Sequence, residues 1–294
     1  MYDVMVIGSS NLDTVLSVPT IPKPGETILG YTIDKIGGGK GANQAVAAAR
    51  AGAKTAFLSA FGQDEAGAML RAALEGDGID VSSSVSSAQP TGAAYIAVSE
   101  DGENSIVVIA GANQSEELLE GAKDLEIEAR VILFSLEIPM RVVQAALERV
   151  GDAKVIINVA PVTDLPADVA RRVDVLVVNE HEGAALAEHT DRGEIIEILG
   201  ATYPAVVMTL GKNGALVAEQ GNDSVLIEPY EVCAVDSTGA GDTFCGYVAA
   251  GLARGDTLVE AVRRATIAGA LCVTKKGAQP AIPYLDDVIN AEEQ

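Results

Sequence analysis

Short apolar runs rich in valine and isoleucine alternate along the chain with alanine-rich stretches whose apolar positions recur at helical spacing. Parallel strands need long crossovers, usually helical, so this rhythm predicts an α/β fold: a mostly parallel central sheet with helices on both faces. Strands are expected near Asp3–Ile7, Thr55–Ala60, Val131–Phe134, Val155–Val159, Val173–Val178 and Ala205–Thr209. Helices are expected near Ala42–Ala51, Ala66–Glu75, Arg141–Val150 and Glu180–Ala187, with two more at Gly241–Ala253 and Leu258–Thr274.

Two segments, 14–36 and 91–109, change to the apolar/polar alternation of half-solvated antiparallel strands. The first contains an Ile21-Pro22-Lys23-Pro24-Gly25 turn and the second a Glu100-Asp101-Gly102-Glu103-Asn104 hairpin. They predict a small antiparallel β lid inserted in one α/β domain that spans residues 1–294. Its place would be over the C-terminal ends of the parallel strands, where open α/β sheets bind ligands.

Composition narrows the partners. Asp and Glu number 42 against 20 Lys and Arg, a formal charge of −22 with no basic block, which argues against nucleic acid and against an anionic membrane surface. A protein so acidic that handles phosphate must hold the anion with backbone N–H groups, helix ends and a few cations. The start, Met1-Tyr2-Asp3-Val4-Met5-Val6-Ile7-Gly8, has no basic region and too short an apolar run for a signal peptide, so a cytoplasmic protein is expected. Cys233, Cys245 and Cys272 lack C-x-x-C spacing and read as buried, inert thiols.

The strongest chemical signal is Asp236-Ser237-Thr238-Gly239-Ala240-Gly241-Asp242, between a strand and an apolar-faced helix. Gly239 to Gly241 permit a tight turn whose N–H groups converge on an anion, and Asp242 falls in the first helical turn, placed to accept a hydroxyl proton. An ordinary helix start fits this stretch equally well.

The second signal is Gly37-Gly38-Gly39-Lys40-Gly41-Ala42-Asn43-Gln44. It is not a Walker A loop, since Gly follows Gly-Lys, and not a dinucleotide fingerprint, since Gly8-Ser9-Ser10-Asn11-Leu12-Asp13 stands after the first strand instead. It can bring Lys40 and Asn43 close to a small hydroxylated ligand, or be a flexible loop before a helix.

Asn11, Asp13 and Glu137 each follow a predicted strand, as ligand-binding residues or as turn and solvated groups. Asn179 and Glu182 have capping-box spacing, with a role near Mg²⁺ and phosphates as the alternative. Thr209-Leu210-Gly211-Lys212-Asn213-Gly214 reads as a nucleotide-lining loop or a hairpin turn, and His181 and His189 as solvent-side helix residues.

In combination and order these stretches, with Ala110-Gly111-Ala112-Asn113 and Lys276-Gly277-Ala278-Gln279-Pro280, resemble the ribokinase branch of the PfkB family of carbohydrate kinases. The resemblance runs from about Asp3 to Leu285. It implies an ATP- and Mg²⁺-dependent transfer to the 5-hydroxyl of ribose, with Asp242 as catalytic base and Gly239, Ala240 and Gly241 as the anion hole. Asn11, Asp13, Gly39, Lys40, Gly41, Ala42, Asn43 and Glu137 match sugar-holding positions. Asn179, Thr209 to Gly214, Gly241 and Thr266 match nucleotide positions, and Glu182 acts indirectly on Mg²⁺.

A K⁺ site is implied at Asp236, Thr238, Cys272, Lys275, Gly277 and Ala281, the last replacing the family's common serine. The resemblance also implies a homodimer paired through the lid. Deoxyribose, fructose or adenosine as acceptor, a non-catalytic sugar- or nucleotide-binding regulator, and a Rossmann oxidoreductase are the competing readings.

Overall fold

The computed structural model describes residues 1–126 and 128–293, so the expected domain span of 1–294 includes two residues, 127 and 294, outside the described ones. The strands are β1 (Tyr2–Ile7), β2 (Asn11–Val18), β3 (Thr32–Gly38), β4 (Thr55–Leu58), β5 (Ala60–Gly62), β6 (Val85–Ser87), β7 (Gly92–Ser99) and β8 (Asn104–Ile109). They continue as β9 (Ala129–Ser135), β10 (Lys154–Asn158), β11 (Val175–Asn179), β12 (Ala205–Thr209), β13 (Ala215–Glu219) and β14 (Val225–Ile227). The helices are α1 (Lys40–Arg50), α2 (Glu65–Gly76), α3 (Glu116–Lys123), α4 (Met140–Leu147), α5 (Ala167–Ala170), α6 (Glu180–Ala187), α7 (Arg192–Thr202), α8 (Ala240–Arg254), α9 (Leu258–Cys272) and α10 (Leu285–Glu292).

The main sheet runs β14-β13-β12-β11-β10-β9-β1-β4. Pairing is parallel from β4 to β12 and antiparallel only across β12-β13-β14. Strand alternation explains the two cores. In β1, Val4 and Val6 join a cluster with α1, α8 and α9, while Met5 and Ile7 join one with α3, α4 and α7 on the opposite face. All four are fully buried, each contributing roughly 1.5–3 kcal/mol of apolar transfer. Positions covered on both faces must be apolar, which is why Val4 to Ile7 show no alternation, while Asp3 lies at the partly exposed start of the strand.

The second sheet runs β3-β2-β7-β8. Its outer pairs, β2-β3 and β7-β8, are antiparallel hairpins, but they join through a parallel β2-β7 seam. The expected half-solvated alternation fails in β8, which is exposed along its whole length. Three other expectations are also corrected. The strand near Thr55–Ala60 breaks at Ser59, where Ser84 Oγ accepts the Ser59 N–H at 3.0 Å, and Ala60 opens a separate strand paired to β6. Val173 lies in a turn that bonds back to Ala170, so β11 begins at Val175. Cys233 is exposed, while Cys245 and Cys272 are buried.

Close backbone approaches fix α1. A Cβ on Gly41 would lie 2.6 Å from the Gly8 backbone, so only glycine lets the helix start press on the end of β1. Along its length α1 packs on α8, and a Cβ on Gly246 would lie 2.5 Å from the Ala47 Cβ and 2.6 Å from the Gln44 carbonyl oxygen. The two helices therefore meet almost backbone to backbone. No helix among the described residues is long and apolar enough to cross a membrane.

Candidate active site

Asp242 sits in the first turn of α8, half-buried at the wall of a cleft. Asn43 Nδ2 donates to its Oδ2 at 2.9 Å and Gln44 Nε2 to its Oδ1 at 3.1 Å. Gln44 also reaches Asn158 Oδ1 at 3.1 Å, tying α1, α8 and the end of β10 together. Burial pushes the Asp242 carboxyl above its ordinary value, while Lys40 and the Asn43 and Gln44 amides pull the other way.

The helix start itself is shaped by Gly239, whose φ of 77° is left-handed and whose added Cβ would lie 3.0 Å from Ala278. No side chain caps this end. Around Gly241 a Cβ would meet nothing within 4 Å, so the helix start borders open space; the Ala240 N–H makes a long turn bond to the Ser237 carbonyl at 3.3 Å.

Lys40 opens α1, with its ammonium 3.5 Å from Glu137 Oε1. Glu137 Oε2 accepts from Ser9 Oγ at 2.6 Å and from the Lys40 N–H at 3.1 Å. Burial lowers the Lys40 proton affinity, but Asp242 and Glu137 outweigh it and the net shift is upward. Asp13 lies across β3 from this group, packed against Gly38, where a Cβ would stand 2.1 Å from Oδ2. Burial first, then the charges of Glu137 and Asp242, raise its pKa to about 7, against the pull of Lys40. Asn11 and Asp13 thus lie on the first strand of the second sheet rather than in a loop. Asn11 Oδ1 accepts from Asn113 Nδ2 at 2.8 Å, and Asn113 Oδ1 accepts the Ser10 N–H at 2.9 Å.

Three carboxylates therefore surround one lysine. Buried side-chain atoms without a partner cluster here: Ser10 Oγ, Asp13 Oδ1, Asn43 Oδ1 and Gln44 Oε1. Unpaired buried polar atoms are rare in native proteins, and a set of them beside a carboxylate group suits a small ligand rich in hydroxyls.

A cavity of about 170 Å³ runs from Lys40 and Asp242 past Gly239 and Gly241 to Asn179, Glu182 and Thr209. Asn179 and Glu182 form the capping box of α6, each side chain accepting the other's backbone N–H at 2.8 Å. Burial raises Glu182, partly offset by the Asn179 N–H. Leu210 to Gly214 close the β12-β13 hairpin, with Leu210 buried and Gly211, Lys212 and Asn213 exposed. Thr266 turns its hydroxyl to the Val262 carbonyl of its own helix at 2.9 Å.

Behind the α8 start, Asp236 Oδ1 accepts from Thr238 N–H and Oγ, and Oδ2 from Gly277 N–H at 2.8 Å. Although burial opposes it, those donors hold the Asp236 carboxyl below its usual range. Cys272 Sγ lies 3.9 Å from the Thr238 carbonyl, and Lys275 N–H bonds to the Cys272 carbonyl at 3.2 Å. Ala281 is buried in the adjoining turn. A larger hollow of about 680 Å³, lined by Glu116, Glu117, Glu120 and Asp124, touches none of these residues and is an open acidic depression.

Sequence reasoning gave no role to Gln44, Ser9, Asn113 or Asn158. Gln44 carried a signal, being a long uncharged polar residue at the start of an alanine-rich buried helix face. Ser9 and Asn158 carried little, since one merely follows an apolar strand and the other ends one.

The sequence model of the pfkB family carbohydrate kinases matches residues 1–285. A curated ribokinase of Haemophilus influenzae is 38% identical over 295 residues, covering 97% of this chain and 96% of that protein. Among solved structures, the ribokinase of Thermotoga maritima superposes with a TM-score of 0.90 at 31% identity, covering 100% of both chains. Arabidopsis thaliana ribokinase, complexed with ribose and ATP, superposes with a TM-score of 0.89 at 30% identity, covering 99% of this chain and 98% of that one.

The Asp13 shift has a sign that can be measured without any ligand. A carboxyl raised from 3.8 to about 7 holds a proton in the folded state that the unfolded chain releases, so its contribution is complete below pH 3.8 and is lost by about pH 7. Asp13→Asn is expected to gain stability relative to the parent between pH 5 and pH 8, on the order of 2 kcal/mol, read from denaturant midpoints. A difference that stays flat across that range contradicts the crowding of charge described here.

Proposed function

The chain belongs to the pfkB family of carbohydrate kinases, and from that premise we propose that it transfers the γ-phosphoryl group of ATP to the 5-hydroxyl of D-ribose. The observation that carries this reading is Asp242, which shares one cavity with the helix-start turn at Gly239 and Gly241 and stands beside unpaired buried acceptors on Asp13 and Asn43. Ribose as acceptor is supported by the ribokinases named above, which match the chain almost end to end.

In this reading Asn11, Asp13, Asn43 and Glu137 accept hydrogen bonds from the sugar's hydroxyls, Lys40 donates to its oxygens, and Gly39, Gly41 and Ala42 bring the main chain close to the ring. Asp242 accepts the proton of the 5-hydroxyl as that oxygen bonds to the γ-phosphorus. The bond from that phosphorus to the β–γ bridging oxygen breaks, and ADP leaves. Burial raises the proton affinity of the Asp242 carboxylate, the direction that favours a general base. The N–H groups of the Gly239-Ala240-Gly241 turn take charge from the equatorial oxygens, aided by the α8 dipole.

Asn179, Thr209 to Gly214 and Thr266 would line the nucleotide. Among the described residues no three His, Cys, Asp or Glu side chains are arranged to hold a metal ion, and in this reading Mg²⁺ arrives on the nucleotide phosphates. Glu182, whose second carboxylate oxygen is left over from the capping box, would orient a metal-bound water. Mg²⁺ supplies neutralisation of the phosphate charge when bound.

The loop around Asp236 suits a monovalent cation: Asp236, Thr238, Cys272, Lys275, Gly277 and Ala281 gather behind the anion turn. Ala281 offers no hydroxyl, so a water would complete the shell. The β2-β3-β7-β8 sheet acts as the lid, and its exposed Ile106, Val107, Val108 and Ile109 suit a second copy, giving a homodimer. A second reading, another small sugar or a nucleoside as acceptor, keeps the same chemistry, because selectivity among hydroxyls depends on sub-ångström pocket shape.

An assay of ribose, deoxyribose, fructose and adenosine with ATP and Mg²⁺, in K⁺ or in tetramethylammonium, is expected to show highest kcat/KM for ribose and higher activity in K⁺. Preference for another acceptor would overturn the ribose assignment, and equal activity in both salts would overturn the cation site. Sedimentation velocity at micromolar concentration is expected to give a dimer; a monomer contradicts pairing through the lid.

A further inference from the structure

Gln279 has no role in the chemistry above, yet its side chain fills the space over Gly37 in β3. A Cβ on Gly37 would lie 2.4 Å from Gln279 Oε1 and 3.3 Å from Nε2. Two residues earlier in the same loop, Gly277 faces Ile36, with a Cβ there falling 3.8 Å from Ile36 Cδ1. Consecutive residues of β3 thus rest on one short segment, 277–281, just before the chain turns through Gly38 and Gly39 into Lys40.

That segment is held from behind. Arg50, the last residue of α1, donates from Nη1 to the Gln279 carbonyl at 2.7 Å and the Ile282 carbonyl at 2.9 Å. Its other nitrogens grip Asp77 at 3.0 and 3.2 Å, and its guanidinium lies 4.9 Å from the centroid of the Tyr284 ring. At the opposite end the Gly277 N–H is fixed on Asp236 at 2.8 Å. The platform under β3 is therefore rigid. The Gln279 Nε2, by contrast, is buried with no partner. A buried donor left unpaired is unfavourable, so a conformation in which it is paired has an advantage. The backbone that borders it belongs to the lid strand.

We propose that Gln279 is a positioning residue that latches the root of β3 onto the 277–281 segment, its free Nε2 donor being taken up by the lid backbone when the lid closes over the sugar. This rests on the sugar-kinase reading above. The latch acts on the strand that pairs with Asn11 and Asp13 through Gly38 and Ile36, so its loss is felt at the sugar and not at the nucleotide.

The test compares the parent with Gln279→Ala, which removes the side chain, and Gln279→Met, which keeps its length without a donor. Steady-state kinetics are measured with the sugar and then ATP varied, alongside unfolding midpoints. Both variants are expected to raise the sugar KM about tenfold, the loss of one hydrogen bond, with kcat within about twofold and the ATP KM unchanged. A parent-like sugar KM in either variant overturns the latch, and a parent-like Met variant beside a defective Ala variant shows packing alone. Parallel losses in kcat and ATP KM also overturn it, as general structural damage. If the Ala variant does not fold, the Met variant decides. Turnover by the parent reports separately on the kinase reading, and if it prefers another acceptor the same ratios are read on that acceptor.

Discussion

The charge of Asp242 is balanced almost entirely from one helix. Lys40, Asn43 and Gln44 occupy the first turns of α1, and all three face a carboxylate that burial would otherwise drive toward its neutral form. That arrangement works only because α1 lies against α8 at near backbone contact, through Gly246 and Ala47, and against the end of β1 through Gly41 and Gly8. A side chain at Gly246 would push the helices apart, and one at Gly41 would lift the start of α1 off the end of β1, each by more than a hydrogen bond tolerates. The parallel sheet serves the same end: it places the ends of β1, β9, β10, β11 and β12 along one edge, where the turns to α1, α6 and α8 converge.

The charge arrangement carries a stability cost. Asp13, Glu137 and Asp242 share one ammonium, and Asp13 relieves the crowding by holding a proton to about pH 7. Such strain is unfavourable for folding and useful for binding, since a ligand with several hydroxyls can supply the missing partners at once. The acidic surface makes the same point at larger scale. With a charge of −22, the protein can favour a phosphate only locally, and the uncapped α8 start is where the proposed chemistry needs backbone dipoles to do so.

Much of this was legible in the sequence because it rests on local rules. The buried parallel strands are continuous apolar runs, and the Asn179–Glu182 capping box follows from residue identity and spacing. Helix α7 was not read, because Gly193 and Gly200 and a weak apolar stripe hide it, and α5 is a single turn of four residues. The strands β13 and β14 were missed because Thr209 to Gly214 looked equally like a binding loop. The parallel β2-β7 seam could not be read at all, since pairing between distant hairpins leaves no mark on local alternation. Gln44 and Asn158 show the same limit at the site: their importance comes from the meeting of three elements, not from a motif.

The central claim is that Asp242 takes the proton of the acceptor hydroxyl during phosphoryl transfer, and the most direct measurement is single-turnover transfer from ATP to ribose by Asp242→Asn. The asparagine keeps the size of the side chain and accepts from one of Asn43 and Gln44, while its amide nitrogen meets the other once that amide turns its unpaired oxygen inward, but it cannot accept the proton. The account predicts a rate lower by about 10²- to 10⁴-fold, with ATP affinity and unfolding midpoint close to the parent's. A folded variant that transfers phosphate at a rate near the parent's would contradict it.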